Sequence, residues 1–317
     1  MTAIARRISA FLCARPTWNP NLKRADSESA LLRWRKGKIM VRVDNEHLDI
    51  SAIADSGQTF RFNRIDGQTF EMRALNRRLL VRQNLCGSES KTASHALFNN
   101  SPVYLDCSQE EYDSFWKDYF DLQTDYGAFL ASIPAEDDFL TNAGRAAGGI
   151  RILRQDPWEM LISFLISQRK NIPAIKSCIE KISSRFGTEG AFPTIEELAG
   201  ASRDELAECS LGYRTDYVLE AARAAAEGKL DLYAMKELPD EELRARLLEI
   251  KGVGVKVANC VMLFGYHRIA AFPIDVWIAR IIKEQYGGTF PVERYEGFAG
   301  VIQQYMFYYG RNMAGKR

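Results

Sequence analysis

The sequence predicts an α+β fold, with an antiparallel β-sheet and some helix in its N-terminal part and helices alone after it. Short alternating apolar runs fill residues 39–84, and helix-start signals recur beyond residue 135. A chain of 317 residues usually forms about two domains. We therefore expect a basic extension over residues 1–38, a sheet domain over 39–135 and a helical domain over 136–317.

Four short apolar runs predict the strands, and they cover residues 39–43, 59–62, 69–72 and 79–81. The pair Asp66-Gly67 lies between the second and third runs. An Asp-Gly pair between alternating runs is a strong hairpin signal, so we expect antiparallel pairing there.

Capping residues mark the helices of the second part. Asp156 followed by Pro157 predicts a helix start, because the aspartate can cap and proline fits the first turn. The runs 194–197 and 202–205 each match a capping box, Thr/Ser followed three residues later by Glu. Proline and aspartate at 239–240 predict another helix, which we expect to run to Ile250.

Composition excludes several classes of protein. The chain is 46% hydrophobic and 26% charged, as in ordinary globular proteins. No run approaches the roughly 20 apolar residues that span a bilayer, and the N-terminus lacks the apolar segment of a secretory signal. We expect an intracellular protein, neither secreted nor bound to a membrane.

Cysteine and histidine usage gives no sign of a metal. The six cysteines include no Cys-x-x-Cys pair, and the three histidines are scattered. This pattern argues against a disulfide framework, a zinc site and an iron–sulfur cluster. We expect the chemistry to need no metal ion.

Positive charge is concentrated at the N-terminus. Residues 1–40 contain nine Lys and Arg against Asp26 and Glu28, whereas the whole chain has a net charge of +1. A basic segment of this kind could bind a polyanion, and it is equally typical of a solvated, poorly ordered extension. Both interpretations stay open.

The most informative segment reads as helix, Gly-x-Gly turn, helix, Pro-x-Asp and helix. Gly252 and Gly254 permit a tight turn whose amides could face a phosphate, although many helical hairpins use glycine only to turn. Lys256 stands in the first turn of the second helix, where the helix dipole disfavours a cation. Asp275 precedes the third helix and is placed to cap it. Taken singly, the lysine suits a solvated surface group and the aspartate an ordinary cap.

Together these residues resemble a known family. Residues 252–260 and 272–276 are similar to the helix–hairpin–helix and Gly/Pro-Asp signature of base-excision DNA glycosylases, in particular the 8-oxoguanine DNA glycosylase branch. Residues 56–61 (Ser-Gly-Gln-Thr-Phe-Arg), 154–157 (Arg-Gln-Asp-Pro) and 211–214 (Leu-Gly-Tyr-Arg) match that branch in the same order. The resemblance implies a helix–hairpin–helix glycosylase domain after the sheet domain, with the hairpin near 240–266 and the catalytic aspartate loop at 272–276.

The family's activity is what the resemblance implies for this chain. It would be a bifunctional enzyme of base excision repair that flips 8-oxoguanine out of duplex DNA. Lys256 would attack C1′ as a neutral amine and form a Schiff base, while Asp275 would stabilise the charge that develops on the sugar. β-Elimination would then nick the strand. No metal or organic cofactor is implied; the partner is double-stranded DNA containing oxidised guanine, and a monomer suffices.

The same resemblance assigns contacts to the base and the DNA. The Gly57 carbonyl would accept the N7–H that only the oxidised purine carries. Cys260 and Phe307 would lie against the two faces of the base, with Gln303 on its Watson–Crick edge. Their spacing alone predicts that Gln303 and Phe307 lie on a helix face buried in the hydrophobic core. Contacts to DNA are implied for Gly252, Val253, Gly254, Lys170, Asn171, Tyr213, Arg214 and Trp277.

Several positions depart from the family's pattern. Ala174 stands where the eukaryotic branch has an arginine that reads the opposite cytosine, so we predict weaker discrimination of the opposite base. Residues 168–171 keep only Asn171 from a gap-filling asparagine run. Trp277 replaces a histidine, and Lys251 replaces a proline.

Two other functions compete with this one. An alkylpurine glycosylase of the same fold uses the aspartate alone and cuts only the bond between base and sugar; Lys256 and Cys260 argue against it. A non-catalytic DNA-binding module would use the hairpin only to contact the backbone.

Overall fold

The computed structural model describes residues 40–84 and 98–314, and the predicted basic extension at 1–38 lies outside them. The predicted α+β fold is confirmed: one antiparallel sheet is followed by a succession of helices. In the described ranges, no helix is long and apolar enough to cross a membrane.

Five strands make the sheet in the order β1-β5-β4-β3-β2. The predicted hairpin is confirmed, since β2 and β3 pair antiparallel on either side of Asp66, whose carboxylate accepts the N–H groups of Gln68 and Thr69 at 2.7 and 2.8 Å. The strand expected at 59–62 begins only at Phe62, because the preceding residues form a turn. The strands are β1 Val41–Val43, β2 Phe62–Arg64, β3 Thr69–Ala74, β4 Arg77–Gln83 and β5 Val103–Leu105.

Helical segments pack against the sheet and share a hydrophobic core with it. Helix α1 (Ile50–Asp55) joins β1 to β2. After β5 the chain runs through α2 (Gln109–Glu111), a π-helical turn (Tyr112–Trp116) and α3 (Lys117–Tyr119). The buried cluster of this part includes Ile50, Phe62, Met72, Trp116 and Phe120.

The remaining helices share a second, larger core. Fully buried residues of α6 and α12 lie in it, and α5 packs against α14. These helices are α4 Tyr126–Ala131, α5 Asp138–Ala147, α6 Pro157–Ser167, α7 Ile172–Phe186, α8 Ile195–Ala199, α9 Arg203–Ala207, α10 Arg214–Ala226, α11 Asp240–Leu248, α12 Val255–Phe264, α13 Val276–Gln285 and α14 Ala299–Ala314.

The predicted helix starts are confirmed by their caps. The Asp156 carboxylate accepts the Glu159 N–H at 2.9 Å, and both capping boxes are closed. Helix α11 begins at Asp240 as expected but ends at Leu248, two residues early. The chain has already turned at Ile250, whose carbonyl accepts the Val253 N–H at 2.9 Å.

A fully buried glutamine joins the sheet part to the helical part. Gln58 Nε2 donates to Ser56 Oγ at 3.0 Å and to the Arg151 carbonyl at 2.9 Å. Its Oε1 accepts the Leu153 N–H at 2.9 Å, and its backbone carbonyl accepts from Gln155 Nε2 at 2.8 Å. Because buried polar groups are costly when unpaired, these bonds hold the two segments in one arrangement.

The same two segments bury an ion pair. Arg61 Nη1 lies 3.6 Å from Glu159 Oε2, and the two side chains are 2% and 10% exposed. Burial raises the pKa of Glu159 to about 7, although the positive charge of Arg61 opposes this.

This pKa predicts a pH-dependent stability. Between the ordinary value of 4.5 and about 7, the folded state keeps a proton on Glu159 that the unfolded state has lost. The free energy of unfolding therefore falls as pH rises through this window. We expect Glu159→Gln to remove up to about 3 kcal/mol of this fall, measured by urea denaturation across the window. The exposed Glu196→Gln is the matched control; the same fall in Glu159→Gln and wild type would contradict the prediction.

Candidate active site

Lys256 and Asp275 stand at the N-termini of two helices. Lys256 is the second residue of α12, and Asp275 caps α13. Asp275 Oδ1 accepts the N–H groups of Trp277 and Ile278 at 3.0 and 2.9 Å. Oδ2 has no hydrogen-bond donor among the described residues, so one carboxylate oxygen stays available to a ligand.

Cys260 connects these two residues electrostatically. It lies one turn after Lys256 on α12 and is buried. Burial raises the pKa of its thiol; the charge of Lys256 and a hydrogen bond from it act in the opposite direction, and the charge of Asp275 adds to the rise. The Cys260 thiol is therefore near enough to both Lys256 and Asp275 to be affected by the charge of each.

An aromatic stack lies beneath the lysine. Lys256 Nζ is 5.2 Å from the centre of the Phe164 ring, within the range of a cation–π interaction. Phe164 stacks on Phe264 at 5.5 Å and meets Phe60 edge-on at 5.6 Å. The sequence gives no sign of this contact, since the position of Phe164 under Lys256 depends on packing between distant segments.

Gly57 lies beside Phe307 and Ile172, and we call the gap that its missing side chain leaves between them the slot. Gly57 has φ +76°, and a Cβ at this position would lie 3.1 Å from Ile172 Cδ1 and 3.4 Å from Phe307 Cε1. Only glycine combines this backbone conformation with this closeness. The Gly57 carbonyl accepts no hydrogen bond from the described part of the chain.

Gln303 connects α14 to the loop that carries Asp275. It lies one turn before Phe307 and is 3% exposed. Its Nε2 donates to the Pro273 carbonyl at 3.0 Å, and its Oε1 accepts from Gln304 Nε2 at 3.0 Å. Gln303 is thus held rigidly at the site.

The two glycines of the hairpin differ in how strictly the structure requires glycine at their positions. Gly252 has φ +87°, and a Cβ there would lie 2.5 Å from the Tyr217 ring, whereas a Cβ at Gly254 would meet open space. The Val253 N–H already donates to the Ile250 carbonyl within the turn. The first helical bond of α12 runs from the Ala258 N–H to the Gly254 carbonyl at 2.9 Å. The amides of residues 255–257 therefore have no acceptor within the described ranges and could receive a phosphate.

In the turn between α6 and α7, two residues predicted to contact DNA make hydrogen bonds within the protein. Lys170 Nζ donates to the Ser210 carbonyl at 3.0 Å, and Asn171 Oδ1 caps α7 by accepting the Ala174 N–H at 2.9 Å. Arg169 between them is exposed, with φ +52°, and no hydrogen bond or ion pair joins it to another described residue.

Tyr213 and Arg214 differ in exposure. Tyr213 is 47% exposed, while Arg214 is buried beneath it with its guanidinium 4.3 Å from the Tyr213 ring. Arg214 Nε donates to the Gln168 carbonyl at 2.8 Å, and Gln168 Nε2 donates to the Gly252 carbonyl at 3.0 Å. The structure brings Tyr213 to the surface, whereas Arg214 supports the turn and the hairpin from inside. Sequence reasoning gave Gln168 no such linking role.

The two remaining positions that depart from the family's pattern, Trp277 and Lys251, lie near helix ends. The Trp277 side chain is half-buried, and its backbone N–H donates to Asp275 Oδ1. Lys251 forms a surface ion pair with Glu220. Within residues 40–84 and 98–314, no cluster of three or more His, Cys, Asp or Glu side chains could hold a metal ion.

Comparison with known proteins covers most of the chain. Residues 40–161 match the family model described as 8-oxoguanine DNA glycosylase, N-terminal domain, and residues 162–290 match the HhH-GPD superfamily base excision DNA repair protein. The chain is 26% identical over 310 residues to a probable N-glycosylase/DNA lyase of Methanothermobacter thermautotrophicus, covering 86% of this chain and 96% of that protein. It is 37% identical over 174 residues to the N-glycosylase/DNA lyase of Saccharomyces cerevisiae, covering 49% of this chain and 46% of that protein.

One solved structure similar to this chain contains DNA. It is the Clostridium acetobutylicum 8-oxoguanine glycosylase/lyase in complex with double-stranded DNA containing cytosine opposite 8-oxoG. It has 30% sequence identity to this chain and a TM-score of 0.75, and the match covers 87% of this chain and 99% of that one.

The contrast between the two hairpin glycines predicts a contrast in stability. We expect Gly252→Ala to lower the free energy of unfolding by about 2–3 kcal/mol, because the new methyl group meets Tyr217 and the backbone is strained. The control Gly254→Ala, at ordinary φ in open space, should cost less than about 1 kcal/mol. Denaturant titration measures both. Equal losses in the two variants would contradict this account of the hairpin.

Proposed function

The chain belongs to the 8-oxoguanine DNA glycosylase family, and on this basis we propose that it is a bifunctional enzyme of base excision repair. Its substrate is double-stranded DNA containing 8-oxoguanine, from which it removes the base before nicking the strand. The observation that carries the proposal is the position of Lys256 and Asp275 at two helix N-termini, both near enough to the buried Cys260 thiol to affect it electrostatically. An intracellular location follows from a DNA substrate.

The reaction uses the lysine as nucleophile. With the damaged nucleotide flipped out, the neutral amine of Lys256 bonds to C1′ as the bond from C1′ to N9 breaks and its electron pair leaves with the base. The positive charge that develops on the sugar lies near Asp275, whose free Oδ2 stabilises it. Loss of a proton from nitrogen and opening of the sugar give the Schiff base. Removal of a C2′ proton then expels the 3′ phosphate and nicks the strand.

Base recognition uses the slot described above. The unpaired Gly57 carbonyl accepts the N7–H of 8-oxoguanine and repels the lone pair at N7 of guanine. Phe307 covers one face of the base, and the neutral thiol of Cys260 the other. Gln303 Nε2 is held by the Pro273 carbonyl, and Oε1, which already accepts from Gln304, meets the donors on the Watson–Crick edge through its second lone pair.

The DNA backbone is held by the hairpin and the neighbouring turns. The open amides after Gly254 receive a phosphate. Trp277, in the first turn of α13, and Lys170, in the turn before α7, add further contacts to the DNA backbone. Tyr213 reaches the space left by the flipped nucleotide. Arg214 acts as a positioning residue that holds Tyr213 and Gln168, and Asn171 positions the turn by capping α7.

Borohydride trapping tests the nucleophile. With an end-labelled duplex carrying one 8-oxoguanine, wild type should form a covalent adduct and a nicked strand, because reduction fixes the Schiff base. Lys256→Gln should form neither. Base release without an adduct in wild type would favour the alkylpurine type of chemistry, and activity that survives Lys256→Gln would exclude the lysine as nucleophile.

Asp275→Asn tests the role of charge separately from the cap. Asparagine caps a helix about as well as aspartate, so the free energy of unfolding should change by less than about 0.5 kcal/mol. Base release in single turnover should nevertheless slow by about 100-fold or more, since the sugar's charge loses its partner. An undiminished rate would remove Asp275 from the chemistry.

Opposite-base discrimination is expected to be weak. Ala174 is a small residue in the first turn of α7, so it cannot offer the hydrogen bonds with which an arginine reads cytosine. We expect Ala174→Arg to increase the preference for cytosine over adenine opposite the lesion by about tenfold, the value of one good base contact. Single-turnover rates on the four duplexes measure this, with Ala174→Met as the uncharged control. A strong cytosine preference in wild type would contradict the prediction.

A further inference from the structure

Three exposed aliphatic residues surround the lysine and the aspartate. Val276 is 80% exposed, Val255 63% and Ile274 50%. Val255 precedes Lys256 in the chain, and Ile274 and Val276 stand on either side of Asp275. Single exposed aliphatic residues are ordinary on protein surfaces, but here each of the three is the direct chain neighbour of a candidate catalytic residue.

Helix stability does not explain the two valines. Each is the first residue of its helix, Val255 in α12 and Val276 in α13. That position favours proline and acidic residues, which suit its backbone and the helix dipole. Valine gives neither benefit, and its exposed side chain gains nothing from burial in the protein's own core. The residues therefore suit a surface that something else covers.

We propose that Val255, Ile274 and Val276 form an apolar collar that packs against the deoxyribose rings of the bound DNA strand. This inference rests on the proposed function and identifies the part of the substrate that this surface receives. The collar is continuous with the open amides of residues 255–257, so phosphates would meet amides while the sugars between them meet the aliphatic groups. The carbon-bearing faces of deoxyribose supply the matching apolar surface.

The collar also changes the surroundings of the reacting groups. Lys256 and Asp275 are only half-buried in the free protein. Sugars that cover the collar would displace water from beside both side chains. Charge interactions strengthen as water is excluded, so Asp275 would act more strongly on the charge at C1′ once DNA is bound.

Affinity and its salt dependence test the collar together. The double variant Val255→Thr/Val276→Thr keeps the shape of both side chains and replaces one methyl group in each with a hydroxyl. The probe is a duplex containing tetrahydrofuran, an abasic analogue that cannot form a Schiff base. We expect the Kd to weaken by about tenfold, the effect of removing about two apolar groups from the contact.

The salt slope distinguishes a sugar contact from a phosphate contact. The slope of log affinity against log salt reports the number of phosphates neutralised, so it should stay the same in the double variant. Leu75→Asn is the control, since Leu75 is a comparably exposed leucine in the β3–β4 turn at φ +52°, which asparagine tolerates. Its Kd should equal that of wild type.

Three results would overturn the proposal. The first two are an unchanged Kd in the double variant and a reduced salt slope in that variant. The third is a difference in sedimentation coefficient between the double variant and wild type without DNA, which would mean that a second copy of the chain covers the collar. The outcome is separate from that of the proposed function. If wild type forms the trapped adduct and the double variant binds normally, only the collar is wrong, whereas failure of wild type to form the adduct on 8-oxoguanine DNA overturns the function.

Discussion

The arrangement of the site depends on the buried side chain of Gln58. Its amide makes three hydrogen bonds and its backbone carbonyl accepts a fourth, and all but one of these reach the segment that leads into α6. Gly57 precedes it and Phe60 follows, so the slot at Phe307 and the aromatic stack under Lys256 are both positioned by the same fixed point. A side chain that could not match both a donor and an acceptor here would leave buried groups unpaired and free the turn to move.

A second chain of contacts fixes the hairpin. Arg214 bonds to the Gln168 carbonyl, the Gln168 amide bonds to the Gly252 carbonyl, and Tyr217 packs against the space where Gly252 has no side chain. The N-terminus of α12, with Lys256 in its first turn, therefore takes its orientation from α6 and α10. The direction in which Lys256 points is therefore fixed by contacts made outside α12.

Local signals in the sequence were enough for the fold and for part of the site. Asp156, Thr194, Ser202 and Asp275 cap helices as predicted, because capping involves atoms only two or three residues apart. The one-turn spacing of Gln303 and Phe307 likewise follows from helix geometry. Contacts between distant segments were not accessible in this way: the ring of Phe164 beneath Lys256 and the burial of Arg214 depend on how helices pack. Glycine at 252 was explained from the sequence by the turn alone, whereas its closeness to Tyr217 is a separate reason.

Gly57 has a consequence for how such an enzyme can evolve. Its positive φ disfavours every other residue, and a Cβ there would press on Ile172 and touch Phe307. Under the proposed recognition, specificity rests on a main-chain oxygen, which every amino acid supplies equally, so a substitution at position 57 would strain the backbone without changing the group that reads the base. Under the same proposal, a change toward a different damaged base would come from residues of α12 and α14.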